Sequence, residues 1–422
     1  MFELVMTNGE KDFSLFYDPH TSNLLQPDGQ PAIQNLTPKQ YKDIFPVSPE
    51  DPGKKDANKI DRLKIQMGLS CNYSCSYCLQ RHEVDKAAKA STNDAKMFLF
   101  HLDKWLKSIP RKIEFWGGEP LLYWNKIEIL HAALKEKFPE AQFSMITNGA
   151  LLTKDIVNYL ADNKFWVAIS HDGPGQMLRG PDPLDDKELC KTIKYMLKKM
   201  GDRFAFNAVL SPISYDVEKI EHFFKSRFGK KTRVSFEGVI INYEDDMNIF
   251  TDEQYGELTR IVAKACSRSP DQIPSAFANK MQRFFESLNT LKPSSALSQK
   301  CGMDTPSSIA VDLLGNVTTC QNVGGEGKHK IGHVFNMEGV KLNTSWHWSK
   351  RKECSNCPLL QLCAGSCMYN EGKSWYYSCN NEYAYNLGIL AGCMYHMFGL
   401  VLKEVKGEIY RPDPAEYGIT DV

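Results

Sequence analysis

The stretch LSCNYSCSYCLQ, residues 69–80, sets Cys71, Cys75 and Cys78 in a C-x3-C-x2-C spacing, with Tyr77 directly before the last thiol. Three thiolates so close in sequence suit an iron–sulfur cluster: they can hold three irons of a cubane and leave one iron open to an outside ligand. A closed zinc site needs a fourth Cys or His. His82, four residues beyond Cys78, keeps zinc open on this stretch alone. A second concentration of thiols lies far downstream. Cys301 and Cys320 flank Gly315 as C-x13-G-x4-C, then Cys354, Cys357, Cys363 and Cys367 follow as C-x2-C-x5-C-x3-C, and Cys379 and Cys393 come last.

With Cys190 and Cys266 the chain has thirteen cysteines in 422 residues. The N-terminus, MFELVMTNGEKD, has no charged segment followed by an apolar one and does not read as a signal peptide. The expectation is a cytoplasmic protein, where clustered thiols serve metals or catalysis rather than disulfides. Hydrophobic residues make up 42% of the chain, enough for a substantial core, yet no apolar run approaches the length of a membrane span. Fifty-one basic residues balance fifty-one acidic ones, which leaves no electrostatic footprint for nucleic acid.

These thiols need a scaffold, and the apolar patterning supplies one. Residues 1–60 open with FELVM and FSLFY around the turn Asn8-Gly9, a hairpin, followed by Pro27-Asp28-Gly29 and a short helix expected at TPKQYKDIF. The Pro- and Gly-containing SPEDPGKKDAN marks a boundary. Residues 61–245 alternate short apolar runs (63–67, 112–116, 143–147, 165–170, 204–210, 233–241) with helical stretches. That is an α/β pattern with a parallel sheet, open or curled into a barrel, whose chemistry belongs at the carboxyl ends of the strands. Residues 246–300 read as a helical linker, 301–395 as a cysteine-rich, loop-rich domain, and 396–422 as a tail that begins helical.

The cysteine loop directly follows the first of these strands, and further motifs follow the next ones. Gly117-Gly118-Glu119-Pro120 ends the second strand, Thr147-Asn148-Gly149 the third, and Ser170-His171-Asp172-Gly173-Pro174 the fourth. Any one alone reads as an ordinary turn; their order at successive strand ends carries the argument. Together with C-x3-C-x2-C they resemble the radical S-adenosylmethionine (radical SAM) enzymes. The resemblance implies a partial (β/α)6 TIM-type barrel. It also implies one [4Fe–4S] cluster on Cys71, Cys75 and Cys78, whose open iron takes the amino and carboxylate groups of S-adenosylmethionine, the source of a 5′-deoxyadenosyl radical. Tyr77, Gly117, Gly118, Glu119, Pro120, Asn148, Ser170, Arg179 and Asn207 are then the residues expected around that cofactor. Among them, Glu119 suits an ammonium and Arg179 a carboxylate.

The downstream thiols resemble the SPASM domain, an iron–sulfur C-terminal domain with two auxiliary [4Fe–4S] clusters. By that resemblance Cys301, Cys320 and Cys367 serve the first. Cys354, Cys357, Cys363 and a late cysteine serve the second, with Cys379 preferred over Cys393, which lies in the apolar LGILAGCMYH. Some members carry an extra thiol where this chain has Ser295, so the first auxiliary cluster is expected to have an open iron or a non-cysteine ligand. Cys190 and Cys266 read as structural thiols on helices; the sharper alternative is hydrogen-atom donation to a substrate radical. The SPASM group includes maturases of ribosomally made peptides, sulfatase-maturing enzymes and small-molecule dehydrogenases. Sulfatase maturation is disfavoured because Gln321 stands where those enzymes place a basic Asp. The expected partners are a precursor peptide, for which the N-terminal strands offer β-augmentation, and an external electron donor such as ferredoxin or flavodoxin. A non-catalytic iron–sulfur scaffold is the remaining alternative.

Overall fold

The computed structural model describes residues 1–42, 53–87, 89–241 and 249–419. At the N-terminus β1 (Phe2–Thr7), β2 (Asp12–Asp18) and β3 (Asn23–Leu25) form consecutive antiparallel pairs. In the first turn Asn8 Oδ1 accepts from the Glu10 and Lys11 amides, and Gly9 takes φ +96°, where a side chain would be strained. The helix expected at TPKQYKDIF is absent over its described part. Thr37 and Lys39 instead donate their amides to Asn289 O and Thr290 O, which fixes this segment as a loop along a later helix. Residues 43–45 of that stretch, and 48–52 of the expected boundary, lie outside the described residues. The two-residue β4 (Gly53–Lys54) follows.

Six parallel strands then alternate with helices. They are β5 (Arg62–Gln66), α1 (Thr92–Trp105), β6 (Lys112–Trp116), α2 (Trp124–Lys137), β7 (Gln142–Thr147) and α3 (Lys154–Asp162). After them come β8 (Trp166–Ser170), α4 (Lys187–Met200), β9 (Phe204–Leu210), α5 (Val217–Phe228) and β10 (Val234–Val239). From β5 to β10 spatial order follows chain order, as the partial-barrel expectation requires. Helix starts are set by side chains that take up free amides: a Ser91–Asp94 capping box for α1, Asp186 for α4 and Asp216 for α5.

Alternation along the strands separates two faces. Leu63, Ile65, Ile113, Phe115, Phe143, Met145, Val167, Ile169 and Phe206 are buried in the main hydrophobic cluster with residues of α1 to α5. The opposite face carries Lys64, Glu114 and Ser144 side by side in register, and Ala168 beside Ala205. That face carries small and polar residues, with Lys64 buried and paired to Glu114 at 3.3 Å, while the helix side forms the core.

The remaining elements are α6 (Asp252–Cys266), α7 (Ser275–Thr290), β11 (Ser308–Asp312), β12 (Asn316–Thr318), β13 (Lys330–His333) and β14 (Lys341–Leu342). Then come the one-turn helices α8 (Lys352–Ser355) and α9 (Leu360–Cys363), the long α10 (Gly372–Phe398) and β15 (Val401–Lys406). The cysteine-rich region is continuous with the barrel sheet. Strand β11 pairs in parallel with β5, and β12 and β13 extend the sheet outward. The tail also differs from expectation: after α10 it returns as β15 and pairs with β1. Both edges of β1 and β2 are therefore occupied, so an added peptide strand would have to join at β15 or β3. No helix among the described residues is long and apolar enough to cross a membrane.

Candidate functional site

The loop after β5 is built around backbone positions that only glycine can fill. Gly68 turns at φ +139° beneath Tyr123, whose hydroxyl accepts the Ser70 amide at 2.8 Å. From the β6 side, Gly118 N donates to Gly68 O at 3.1 Å and Glu119 N to Ser70 O at 3.0 Å. A Cβ at Gly118 would stand 2.3 Å from both Leu69 O and Ser70 O. The Gly-Gly pair thus lets one strand-end loop back directly onto the cysteine loop.

Cys71, Cys75 and Cys78 come together on this loop. Burial pushes the Cys75 thiol up to about 11, with Cys78 and Cys71 adding to the rise and the Arg179 guanidinium opposing it. His82 is exposed at the end of a 3-10 turn and accepts Arg81 Nε at 3.3 Å.

The strand-end motifs converge on the same loop, though several bond to one another. Glu119 is buried: its Oε1 accepts Leu121 N at 2.9 Å and Thr147 Oγ1 at 2.6 Å, and its Oε2 accepts Asn148 N at 2.7 Å. It ties the loop after β6 to the turn after β7. Asn148 Nδ2 then donates to Asn72 Oδ1 at 2.7 Å, inside the cysteine loop. Pro120 is buried at the start of a 3-10 turn, and Gly117 O accepts Gln80 Nε2 at 3.1 Å. Ser170 ends β8 in register with Asn207, whose Nδ2 donates to Glu237 Oε2 at 2.8 Å.

Asp172, read in the sequence only as part of a strand-end motif, joins several of these groups. Its Oδ1 accepts Val209 N at 2.9 Å and Arg179 Nη2 at 3.1 Å, and its Oδ2 accepts the Tyr77 hydroxyl. Arg179 also lies 5.4 Å over the Tyr77 ring. Burial works to lower the Arg179 pKa, but Asp172, Tyr77 and Cys75 outweigh it and hold it above the ordinary value. Arg179, expected near a cofactor carboxylate, is paired with Asp172. The available signal was an Asp inside the strand-end motif with an Arg seven residues on.

The downstream thiols form two groups. Burial, then Cys367 and Cys301, push the Cys320 thiol up to about 12. This group is seated against the cysteine loop: Asn322 Oδ1 accepts Trp116 Nε1 at 2.9 Å and Gln80 Nε2 at 3.1 Å. Gln66 Nε2 donates to Gln321 O at 2.7 Å and Val323 O at 3.0 Å. Cys354, Cys357, Cys363 and Cys379 line one cavity, with Arg411 and Tyr383 also in its wall. Burial, then Cys363, Cys379 and Cys357, raise the Cys354 thiol.

The other thiols stand apart. Cys393 is buried beside Cys266, where a Cβ at Gly392 would lie 2.2 Å from Cys266 Cβ and α6 and α10 pack in direct contact. Cys190 donates to Leu184 O at 3.0 Å on α4. Ser295 is exposed. Among the described residues no group of three or more His, Cys, Asp or Glu side chains closes on a single metal ion; four thiols lining one cavity are instead a sulfur donor set of the kind that fits iron–sulfur ligation.

A family model described as the radical SAM superfamily matches residues 65–224. The radical SAM cyclopropyl synthase TigE of Paramaledivibacter caminithermalis is 24% identical over 348 residues, covering 74% of this chain and 68% of that protein. A cysteine-type anaerobic sulfatase-maturating enzyme of Clostridium perfringens is 23% identical over 331 residues, covering 70% of this chain and 85% of that protein. In fold, the solved structure of native anSMEcpe with bound AdoMet and Cp18Cys peptide superposes with a TM-score of 0.55 at 20% identity, covering 80% of this chain and 98% of that one. The segment that carries the three-thiol loop and the motifs after β6, β7 and β8 matches the radical SAM superfamily and is a radical SAM domain.

Proposed function

We propose that this protein is a radical SAM/SPASM enzyme that modifies a peptide by hydrogen abstraction, forming a C–C or thioether cross-link or epimerising a residue. The family implies S-adenosylmethionine and one [4Fe–4S] cluster, held here by Cys71, Cys75 and Cys78. When bound, that pair supplies a 5′-deoxyadenosyl radical. Two auxiliary clusters complete the reading, one on Cys301, Cys320 and Cys367 and one on Cys354, Cys357, Cys363 and Cys379. An external ferredoxin or flavodoxin delivers the electron.

The observation that carries this reading is the seating of the segment after Cys320 on the cysteine loop, through Asn322 between Trp116 and Gln80. It supports reading the first auxiliary thiols as neighbours of the radical site, where a substrate would meet both. The chain's own residues hold this arrangement rigid. Asp172 fixes Tyr77 and Arg179 against the loop, Glu119 locks the turns after β6 and β7, and Asn148 holds Asn72. Tyr77, Gly117, Gly118, Pro120, Ser170 and Asn207 are the further residues this reading assigns to the cofactor's surroundings.

The name of the relative TigE, a cyclopropyl synthase, supports C–C bond formation over epimerisation. The sulfatase-maturating relative is the second reading; Gln321 counts against it, because an amide takes no proton usefully at neutral pH. The test is mass spectrometry on short peptides encoded beside the gene, after reaction with the reduced, reconstituted enzyme. Loss of two hydrogens supports a cross-link. Deuterium uptake without other mass change supports epimerisation, and no change in any such peptide contradicts the peptide reading.

A further inference from the structure

The chain beyond β15 folds back over the second thiol group. Tyr410 N donates to Asn356 O at 3.0 Å, Asn356 Nδ2 donates to Glu408 O, and the Tyr417 hydroxyl donates to Glu353 Oε1 at 2.7 Å. Between these anchors Arg411 reaches inward. Its Nη1 donates to Cys379 Sγ at 3.4 Å, its Nη2 donates to Asn380 Oδ1 at 2.5 Å, and its guanidinium lies 4.1 Å from the centre of the Tyr383 ring. Among the described residues Arg411 is the cation in the wall of the cavity that Cys354, Cys357, Cys363 and Cys379 share.

A nearby arginine shows the contrast. Arg351 spends one nitrogen on the carbonyls of Cys367 and Asn370, at 3.0 and 2.8 Å, and stacks 3.6 Å from the Trp375 ring centre. Arg351 braces the backbone, whereas Arg411 directs an N–H at a sulfur. The acid in the same wall, Glu353, already accepts the Tyr417 hydroxyl.

From this geometry we infer that Arg411 is a positioning residue that raises the reduction potential of the cluster held by Cys354, Cys357, Cys363 and Cys379. The inference rests on the reading of those four thiols as cluster ligands. One-electron reduction adds a negative charge that spreads onto the thiolate sulfurs. A fixed guanidinium and an N–H···S bond favour that reduced state over the oxidised one. The strap that carries Arg411 thereby couples the far C-terminus to the electronics of a site assembled from α8, α9 and α10.

The test is a potentiometric titration, followed by electron paramagnetic resonance, of the full-length reconstituted protein. A Cys71→Ala, Cys75→Ala, Cys78→Ala background removes the signal of the first cluster. Arg411→Gln and Arg411→Met are expected to shift the second auxiliary signal to lower potential with iron content unchanged. Arg411→Lys, which keeps charge but loses the planar fork, should fall between these and the unsubstituted protein. Lys352→Met, which removes an exposed strap contact to Glu416, should leave the potential unmoved.

An unchanged potential in Arg411→Gln and Arg411→Met with iron retained overturns the inference. So does loss of this iron in all three Arg411 variants, which would make the residue a latch. If only the glutamine and methionine variants lose iron, the lysine variant decides: a lowered potential supports the inference and an unchanged one overturns it. A different outcome tests the underlying assignment. If Cys354→Ala, Cys379→Ala retains the same iron and the same signal, the thiols are not ligands and the fault lies there.

Discussion

At the residue scale, the site depends on contacts the chain makes with itself before any cofactor arrives. Gly118 is required because two carbonyls of the cysteine loop occupy the place of its Cβ. Gly118→Ala should displace that loop and lower 5′-deoxyadenosine formation by at least about tenfold, a cost of roughly 1.4 kcal/mol in the barrier. The circular dichroism spectrum should be unchanged, since the strands themselves are untouched. Asp172 carries a heavier load, accepting from Tyr77, Arg179 and Val209 in a buried setting. Asp172→Asn leaves Arg179 as an uncompensated buried charge and should cost about 3–5 kcal/mol, read as a lowered denaturation midpoint. Sequence spacing identified the thiols and strand-end motifs but not this internal pairing. Spacing along a chain says which loops meet, and says nothing of which side chains in those loops take each other.

At the scale of elements, α2 supplies a buried titratable group that reports on the barrel. His131 packs against Phe143, Tyr159 and Phe165, and its Nδ1 meets the Tyr159 hydroxyl at 2.8 Å. Burial lowers its pKa to about 4, from an ordinary value of 6.5. Below pH 6.5 the unfolded chain takes a proton there that the folded chain refuses. Stability from this group is therefore complete above pH 6.5 and is lost as pH falls toward 4, by up to about 3 kcal/mol. His131→Phe keeps the aromatic packing and removes the titration, so its denaturation midpoint should fall less between pH 6.5 and 4 than that of the unsubstituted protein.

The strands β5–β10 were legible in the sequence because each buries one apolar face against a helix. Strand β15 was not. Its residues are mostly exposed, and it covers the edge of β1 through backbone pairing, which leaves no apolar pattern to read. Over its described part the expected helix at TPKQYKDIF is absent for a related reason: the Thr37 and Lys39 amides are taken by the end of α7.

At the scale of the whole molecule, the barrel and the cysteine-rich region are stabilised differently. The barrel has a large continuous core, while the second thiol group is surrounded by a small cluster of Leu297, Trp348, Leu360, Ala364 and Trp375. One-turn helices such as α8 and α9 cannot hold themselves, so if the four thiols around them ligate a cluster as proposed, bound iron should supply much of their order. Chelating the iron should make residues 343–371 sensitive to protease while β5–β10 stay protected, as limited proteolysis with peptide mapping will show. The continuity of β11–β13 with the barrel sheet was hidden in the sequence, because composition changes sharply at residue 301 while backbone pairing does not. Arg411 was equally hidden: a single arginine in a polar tail acquires meaning only when the tail returns to Cys379.

The central claim is that Cys71, Cys75 and Cys78 support radical generation from S-adenosylmethionine. It is tested most directly by incubating the anaerobically reconstituted, reduced protein with S-adenosylmethionine and quantifying 5′-deoxyadenosine by chromatography. The account predicts its formation by the unsubstituted chain and none by a Cys71→Ala, Cys75→Ala, Cys78→Ala variant that still retains auxiliary iron. Equal amounts from both proteins, or none from the unsubstituted chain with its full iron, would contradict it.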